Sequence, residues 1–541
     1  MIRHIFAKDC RLLWPLILLV AAAQGANAVI WIMLGTFREP REFVLQAYLF
    51  SLVPLLTMAV LIVSVVHQDP IPGVRQDWLV RPIKRCDLLL AKLLFVVAAA
   101  HGPLLIADVI EGLTAGFAFP SAVGAAITRG IVVFCFLSLP VALLASVTRS
   151  LTEVAVGAIA VVIYCLAFGI LARGRGPSPP PLAGSGLLWI LPTIWAVLIV
   201  VAAAVVLPSQ YFRRSTAHSR AIIAIAVGLV MCVLFVPSRI GFALQRSAAI
   251  EPGAADALSL AFDPNMHQPL RVPGSFADST KPNTTLGPAG TAVSVFVPLR
   301  VTNLPAGTLL LSDRSEIRLL DASGATVYQG TTHLSVDGRA SVADARLTVW
   351  PEAGAQVSAN AHHLIFIPLD VYARVKNQPV RLEMDYFLTL MRPDAVESLA
   401  ALNDKRSLAG LGSCATRVDS DEDEIEVACR AAGKTASCMT AVLQDESSGL
   451  KNPQIRVCDP DYSQYYVALI PDSLNRFTMH VPFFDPTGLA NYPVDGSKLR
   501  DAHLVIHTYH PVDHFTRHMV IPEIRLADWA TRPRAIAPVS N

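Results

Sequence analysis

Three groups of side chains in the C-terminal part of the chain have the composition of chemical sites. Ala428-Cys429-Arg430-Ala431-Ala432-Gly433-Lys434-Thr435 fits the relaxed A/G-x-x-x-x-G-K-T form of a phosphate-binding loop and follows an expected strand. A working phosphate loop needs backbone N–H groups in a glycine-rich turn that opens a long helix, with Mg²⁺ ligands nearby. Here the first glycine is missing and the loop lies among clustered cysteines, so no ATP site is assigned. His503, His507, His510, His514 and His518 invite a metal reading. His503 and His507 share one face of a strand, and His510 falls at a turn made by Pro511, so a site would need a hairpin to fold His514 or His518 back. No acid or cysteine stands at a recognisable ligand spacing with them, and surface or core histidines are expected, with no metal. Asp419, Asp421, Glu422, Asp423, Glu424 and Glu426 offer hard oxygens suited to Ca²⁺ but lack the D-x-D-x-D-G spacing, and read as a solvated loop entering a strand. With no Ser/His/Asp or paired-carboxylate arrangement either, no enzyme activity is assigned to this chain.

A second set of polar residues stands inside apolar runs, where such groups are costly. Gln24 and Asn27 lie in the first run, and His101 and Asp108 lie in the third, with Gly102-Pro103 permitting a kink between them. They suit the lining of a substrate path. The other reading is an interhelical hydrogen bond for Gln24 and Asn27 and an interfacial position for Asp108, close to Glu111.

The elements that must carry these residues follow from composition. The chain has 541 residues, of which 53% are hydrophobic and 16% charged, too apolar for an ordinary soluble protein and too long for one domain. A net charge of +2 gives no global reason to expect nucleic acid as a partner. Apolar runs fill the region before Val236; beyond it come short alternating segments broken by Pro, Gly, Asn and Asp. Arg3, Lys8 and Arg11 followed by an apolar run and Ala26-Asn27-Ala28 have the outline of a signal peptide. The run continues through Val29 to Leu34, however, and reads as an uncleaved span, preceded by a short interfacial helix over residues 2–10. Spans are expected at Leu12–Leu34, Phe43–Val66, Leu88–Ile110, Ile127–Val147, Val154–Leu171, Leu187–Leu207 and Ala221–Val236.

Basic residues orient these spans. With the N-terminus inside, the cytoplasmic segments hold Arg3, Lys8 and Arg11, then Arg75, Arg81, Lys84 and Arg85, then Arg149, then Arg213, Arg214 and Arg220. Arg173 and Arg175, in a proline-rich loop on the other side, are the main dissent. An odd number of spans puts everything after about Pro237 outside. The cysteines divide along the same line: Cys10, Cys86, Cys135, Cys165 and Cys232 are scattered through the apolar half, whereas Cys414, Cys429, Cys438 and Cys458 cluster in the polar half, as disulfides in an oxidising compartment would. Four cysteines allow three pairings and the spacing does not choose; four unpaired buried thiols are the other reading.

After Ala254 the pattern is β. Thr291–Val301, a hairpin of Ile317–Leu320 and Thr326–Tyr328 around Asp321-Ala322-Ser323-Gly324, His363–Pro368 and Val380–Met391 suit a β-sandwich. Asp394–Asn403 looks helical, and a second strand set follows at Glu424–Cys429, Tyr465–Ile470, Phe477–Val481, His503–Tyr509 and His518–Ile524. The expected fold is therefore an α-helical polytopic membrane domain, with six core transmembrane helices plus a seventh, followed by an all-β, sandwich-like extracytoplasmic domain. Its divisions are 1–210, 211–250, 251–395 and 396–541, the last two being β lobes, with one merged β domain as the alternative.

Arg81-Pro82-Ile83-Lys84-Arg85, then Leu88-Leu89-Leu90 and Lys92-Leu93, resembles the first cytoplasmic loop of the type-2 class of ABC exporter permeases. The resemblance covers about residues 1–210 and implies docking of this loop on a separate ATPase. By that resemblance Trp78, Arg81 and Arg85 are contacts, Pro82 stops the preceding helix, and Lys92 snorkels to the headgroups from the start of the span. It further implies a homo- or heterodimer with a permease and two copies of a cytoplasmic ATPase, with ATP and Mg²⁺ bound on that partner and no cofactor here. The location implied is a bacterial inner membrane, N-terminus cytoplasmic and C-terminal domain periplasmic. A plain family member ends near its sixth span, so the large C-terminal part leaves open whether the output is substrate export or force transmission. Rival readings are a membrane-anchored periplasmic binding or adaptor module and a periplasmic metal-dependent enzyme.

Overall fold

A computed structural model describes residues 1–33, 41–68, 84–173, 190–233, 238–265, 292–332, 348–349, 358–419, 424–432, 436, 438–445, 450–451, 455–458, 474–482 and 496–530. Among the described residues the apolar helices come first: α1 (Ile2–Met33), α2 (Arg41–His67), α3 (Arg85–Thr114), α4 (Phe119–Val147), α5 (Leu151–Arg173), α6 (Ile190–Pro208, extended by a π turn at Ser209–Arg213) and α7 (Thr216–Cys232). A helix suits this composition because it satisfies every backbone polar group within the segment, as a lipid surrounding demands. Among the described residues, α1–α4 and α6 are long and apolar enough to cross a bilayer, while α5 and α7 offer shorter apolar stretches, Leu151–Tyr164 and Thr216–Cys232. The separate interfacial helix expected over residues 2–10 is instead the start of α1, because Ile5 and Asp9 are buried inside the bundle.

Successive helices run antiparallel. At the end that carries the α2–α3 loop, Ile5 of α1, Leu88 and Ala91 of α3 and Tyr211 after α6 pack together. At the opposite end Ile194, Trp195 and Leu198 of α6 meet Val233, and Trp195 Nε1 donates to the Val230 carbonyl at 2.9 Å. The β half attaches at this second end, so it and the α2–α3 loop lie on opposite sides of the bundle.

The β half is antiparallel. Its largest sheet orders β12 (Leu450–Lys451), β11 (Cys438–Asp445), β15 (His503–Ile524), β7 (Val380–Ala400), β3 (Leu309–Leu320) and β4 (Thr326–Thr332). The expected hairpin is β3–β4: Asp321 Oδ1 accepts from the Ser323 and Ala325 N–H groups, and Gly324 takes the positive φ of 83° that closes the turn. A second sheet places β1 (Ser259–Phe262), β2 (Ala292–Thr302) and β6 (Ser358–Pro368) side by side, and a third orders β14 (Asn475–Pro482), β10 (Glu424–Ala431), β9 (Gly412–Asp419) and β8 (Lys405–Leu408).

Two expectations are corrected here. Residues 394–400 continue β7 as strand rather than forming a helix, and the turn expected at Pro511 is absent, because β15 runs on as one strand of 22 residues. The cause is mutual: β7 and β15 pair from His503↔Ala400 to Ile524↔Val380, absorbing Pro511 at a bulge, so cross-strand bonding overrides the helix-like composition of 394–403. The boundary drawn at 395/396 consequently falls inside a strand. Two cores do exist, one holding Leu382, Met384, Tyr386, Phe515 and Ile521, the other Leu399, Ile425, Met439, Leu504 and Ile506. Both are built on the same two strands.

The cysteine cluster resolves in part. Cys414 and Cys429 stand opposite each other on β9 and β10 and are disulfide-bonded, with Cα atoms 4.0 Å apart. Cys438 is also disulfide-bonded and faces Cys458 of β13 (Ile455–Cys458) in the strand register. Cys10, Cys86, Cys135 and Cys232 of the helical half are free thiols.

The halves meet through α8 (Ser238–Ser247). Phe242 packs its ring edge-on against Phe387 at 5.3 Å and His514 at 5.9 Å. Arg239 reaches Asp385 at 2.9 Å and Glu316 at 3.7 Å. The turn after α8 is then sewn to β15: Asp513 accepts from the Gly253 and Ala255 N–H groups, Arg517 donates to the Ala255, Asp256 and Leu258 carbonyls, and Glu251 pairs with Arg392. Beneath Phe242 lies a buried chain in which Thr389 donates to Asp313 and so accepts from His514 Nδ1 at 2.8 Å. Burial pushes the His514 imidazole down from 6.5 to about 4 against the opposing pull of Asp513.

Two outcomes follow for the β half. Closing a loop over a sequence separation of 15, the Cys414–Cys429 bridge contributes about 3 kcal/mol. Cys414→Ser should lower the denaturant midpoint accordingly, and reductant should lower the parent's midpoint at least as far. Between pH 6.5 and about 4 the unfolded chain binds a proton at His514 and the folded chain does not, so stability is complete above that window and is lost as pH falls through it. An unfolding profile against pH should therefore slope there, and His514→Gln should flatten it.

Candidate functional site

Four of the residues singled out from the sequence lie on one helix. α3 carries Arg85, Lys92, His101 and Asp108, each bonded to a different element or level of the bundle. Their spread is 23 residues, or about 35 Å at ~1.5 Å per residue, against about 30 Å of bilayer hydrocarbon.

At the loop end, Arg85 donates to the Phe212 carbonyl in the π turn that ends α6. The last carbonyls of a helix lack internal donors and sit at its negative pole, so a cation is stabilised there. The same device recurs on α4, whose terminal carbonyls accept from Arg220 (Val147, 2.9 Å) and His67 (Ala145, 3.0 Å). Two turns above Arg85, Lys92 Nζ lies 2.9 Å from Asp9 of α1, with side-chain exposures of only 4% and 0%. Lys8 approaches the other oxygen of Asp9 at 3.6 Å. This corrects the snorkelling expected of Lys92: the ammonium points inward to a carboxylate, because Asp9 is buried on the facing helix.

In mid-bundle, α3 and α4 each contain a π turn, Val96–Ala100 and Phe134–Ser138. The sequence reason is a proline shortly after each, since Pro103 and Pro140 cannot donate to the carbonyls of Ala99 and Phe136. His101 follows the first π turn and Ser138 closes the second, and their side chains are 2.9 Å apart, with the His101 ring 5.5 Å from Phe134. At the far end Asp108 is buried and ion-paired with Arg129 of α4, with Glu111 buried one turn on. Asp108 is therefore a bundle-facing charge.

Gln24 and Asn27 belong to this far end as well. α1 and α3 run parallel, and the Asp9–Lys92 contact sets their register, so Gln24 falls level with residues 107–108 and Asn27 near Glu111. Asn27 accepts from Ser51 of α2 at 2.9 Å, and Trp31 Nε1 donates to Ser51 at 3.1 Å. Gln24 is buried, and its Nε2 has no hydrogen-bond partner among the described residues. Three of the four residues expected to line a path are thus engaged with different neighbours: His101 and Asp108 with α4, Asn27 with α2.

Trp78, Arg81 and Pro82 lie outside the described residues. Asp9, Arg129, Ser138 and Arg220 complete the bonds above and did not stand out in the sequence. Asp9 looked like part of a surface helix, and Arg129 like a topology marker.

The chemical candidates of the β half separate. Ala428–Ala431 are strand residues of β10 paired with β14, the first three with β9 as well, so the phosphate-loop match does not begin in a turn. Gly433, Lys434 and Thr435, like Asp421, Glu422 and Asp423, lie outside the described residues. Along β15, His514 meets Thr389 and His518 meets Asp385 at 2.7 Å, while His510 stands 4.0 Å from Asp394. Among the described residues no three His, Cys, Asp or Glu side chains gather as a metal-binding group. No protein-family model and no curated protein matches the sequence.

Removing one partner of a buried ion pair leaves an uncompensated charge, at about 3–5 kcal/mol, whereas replacing both with apolar groups is near neutral. Lys92→Met should sharply lower the thermal midpoint of the chain in detergent, and adding Asp9→Leu should recover most of the loss. A single variant as stable as the parent would show that the pair does not hold α1 to α3.

Proposed function

We propose that this chain is the membrane-spanning permease subunit of an ATP-driven exporter of the type-2 ABC class, with ATP and Mg²⁺ handled by a separate ATPase. Support comes from the loop motif of residues 81–93 together with one structural observation. α3 starts at the end of that loop, and its side chains bind it to α6 through Arg85, to α1 through Lys92 and to α4 through His101 and Asp108. A push on the α2–α3 loop therefore reaches three other helices at once, as coupling to an external ATPase requires. In this reading the loop faces the cytoplasm, the β half lies in the periplasm of a bacterial cell, and the chain pairs with a second permease. Because the β half is clamped to the bundle through α8, the output includes force transmitted to that half as well as substrate export.

The intact chain, purified in detergent from its own cells, should bring down a phosphate-loop ATPase. Arg81→Glu should abolish the co-purification without changing the thermal midpoint. Arg85→Glu should instead lower the midpoint, since its guanidinium is bonded to the end of α6. If the native chain brings down no ATPase, the permease reading falls.

A further inference from the structure

The ten residues of α8 have two opposed faces. At about 100° per residue, Arg239, Phe242 and Arg246 fall on one side and Ile240 and Leu244 on the other. The first side carries the contacts to the β half: Arg239 reaches Asp385 and Glu316, Phe242 packs on Phe387 and His514, and Arg246 lies 3.5 Å from Asp256. Ile240 and Leu244 remain 54% and 49% exposed.

Position identifies what covers them. α8 begins a few residues beyond α7 and packs through Phe242 on Ile194, Trp195 and Leu198, at the end of α6 nearest the β half. On the same stretch of α6, Val197 and Val201 are exposed, as expected for a helix in contact with acyl chains. Ile240 and Leu244 of α8 and Val197 and Val201 of α6 are thus exposed apolar residues on two helices joined at the Phe242 contact. The opposite face is held by a polar domain that has to stay in water. An amphipathic helix so placed, with basic residues on its wet side, matches the physical profile of a helix that lies in a membrane surface.

We propose that α8 lies in the interface of the leaflet next to the β half, with Ile240 and Leu244 among the upper acyl chains of phospholipids and its arginine face bonded to the β half. The proposal does not depend on the permease reading, because it uses no ATPase and no assignment of inside and outside.

The test places an environment-sensitive fluorescent amino acid at position 240, 244 or 396 of the intact chain in phosphatidylcholine nanodiscs. Val396, 60% exposed on β7, is the water-facing control. All three side chains are exposed, so the substitutions leave the packed core alone. Labels at 240 and 244 should lose emission to lipids carrying a nitroxide high on the acyl chain and be spared by aqueous iodide, with the reverse at 396. Equal iodide quenching at all three positions would put this face in water and overturn the proposal. Shielding of 240 and 244 from both quenchers would mean that a protein surface covers them, such as a second copy of this chain, and would overturn it equally.

Discussion

A charge buried among apolar helices is tolerated only where its opposite is within reach, and that requirement organises the membrane half. α3 places a lysine near one end and an aspartate near the other, and the answers, Asp9 and Arg129, come from α1 and α4. Hydrophobic contact alone leaves helices free to slide and rotate, because it has no preferred direction. An ion pair at 2.9 Å fixes both the rotation of α1 and its height relative to α3, and that height brings Gln24 and Asn27 level with Asp108 and Glu111. The π turns before Pro103 and Pro140 add the rotation that lets His101 meet Ser138.

The β half is organised by directional bonding of another kind. β7 and β15 form one ladder running through both cores, and midway along it Asp513, Arg517 and Arg392 fasten the turn that follows α8. The junction between the halves is thus asymmetric. Towards the β half it is made of ion pairs and backbone hydrogen bonds, and towards α6 and α7 it is an apolar contact among Trp195, Leu198, Val233 and Phe242.

The positions of the helices were legible because an apolar run of sufficient length has few other ways to satisfy its backbone. The cysteine cluster was legible by composition, although only the register of β9 against β10 shows that Cys414 meets Cys429. The Asp9–Lys92 pair was hidden by its sequence separation of 83 residues, and the Asp108–Arg129 pair by lying on two different helices. Residues 394–400 misled because Ala, Glu and Leu favour helices, and only pairing with His503–Tyr509, more than a hundred residues later, outweighs that preference. Local pattern identified elements; it did not identify partners distant in sequence.

That distance bears on how the molecule is made. β15 sits between β11 and β7 in the largest sheet, yet it is made after every other strand of that sheet. Until residue 524 has emerged, β7 lacks its longest neighbour, both cores are open along one edge, and the turn beyond α8 has neither Asp513 nor Arg517 to hold it. Ladders that must wait for such remote partners form slowly, and the unpaired edges they expose meanwhile invite aggregation. The helical half can be in the bilayer long before its outer attachment is firm, so a late-arriving strand is what finally turns an anchored, unfinished chain into one mechanical body.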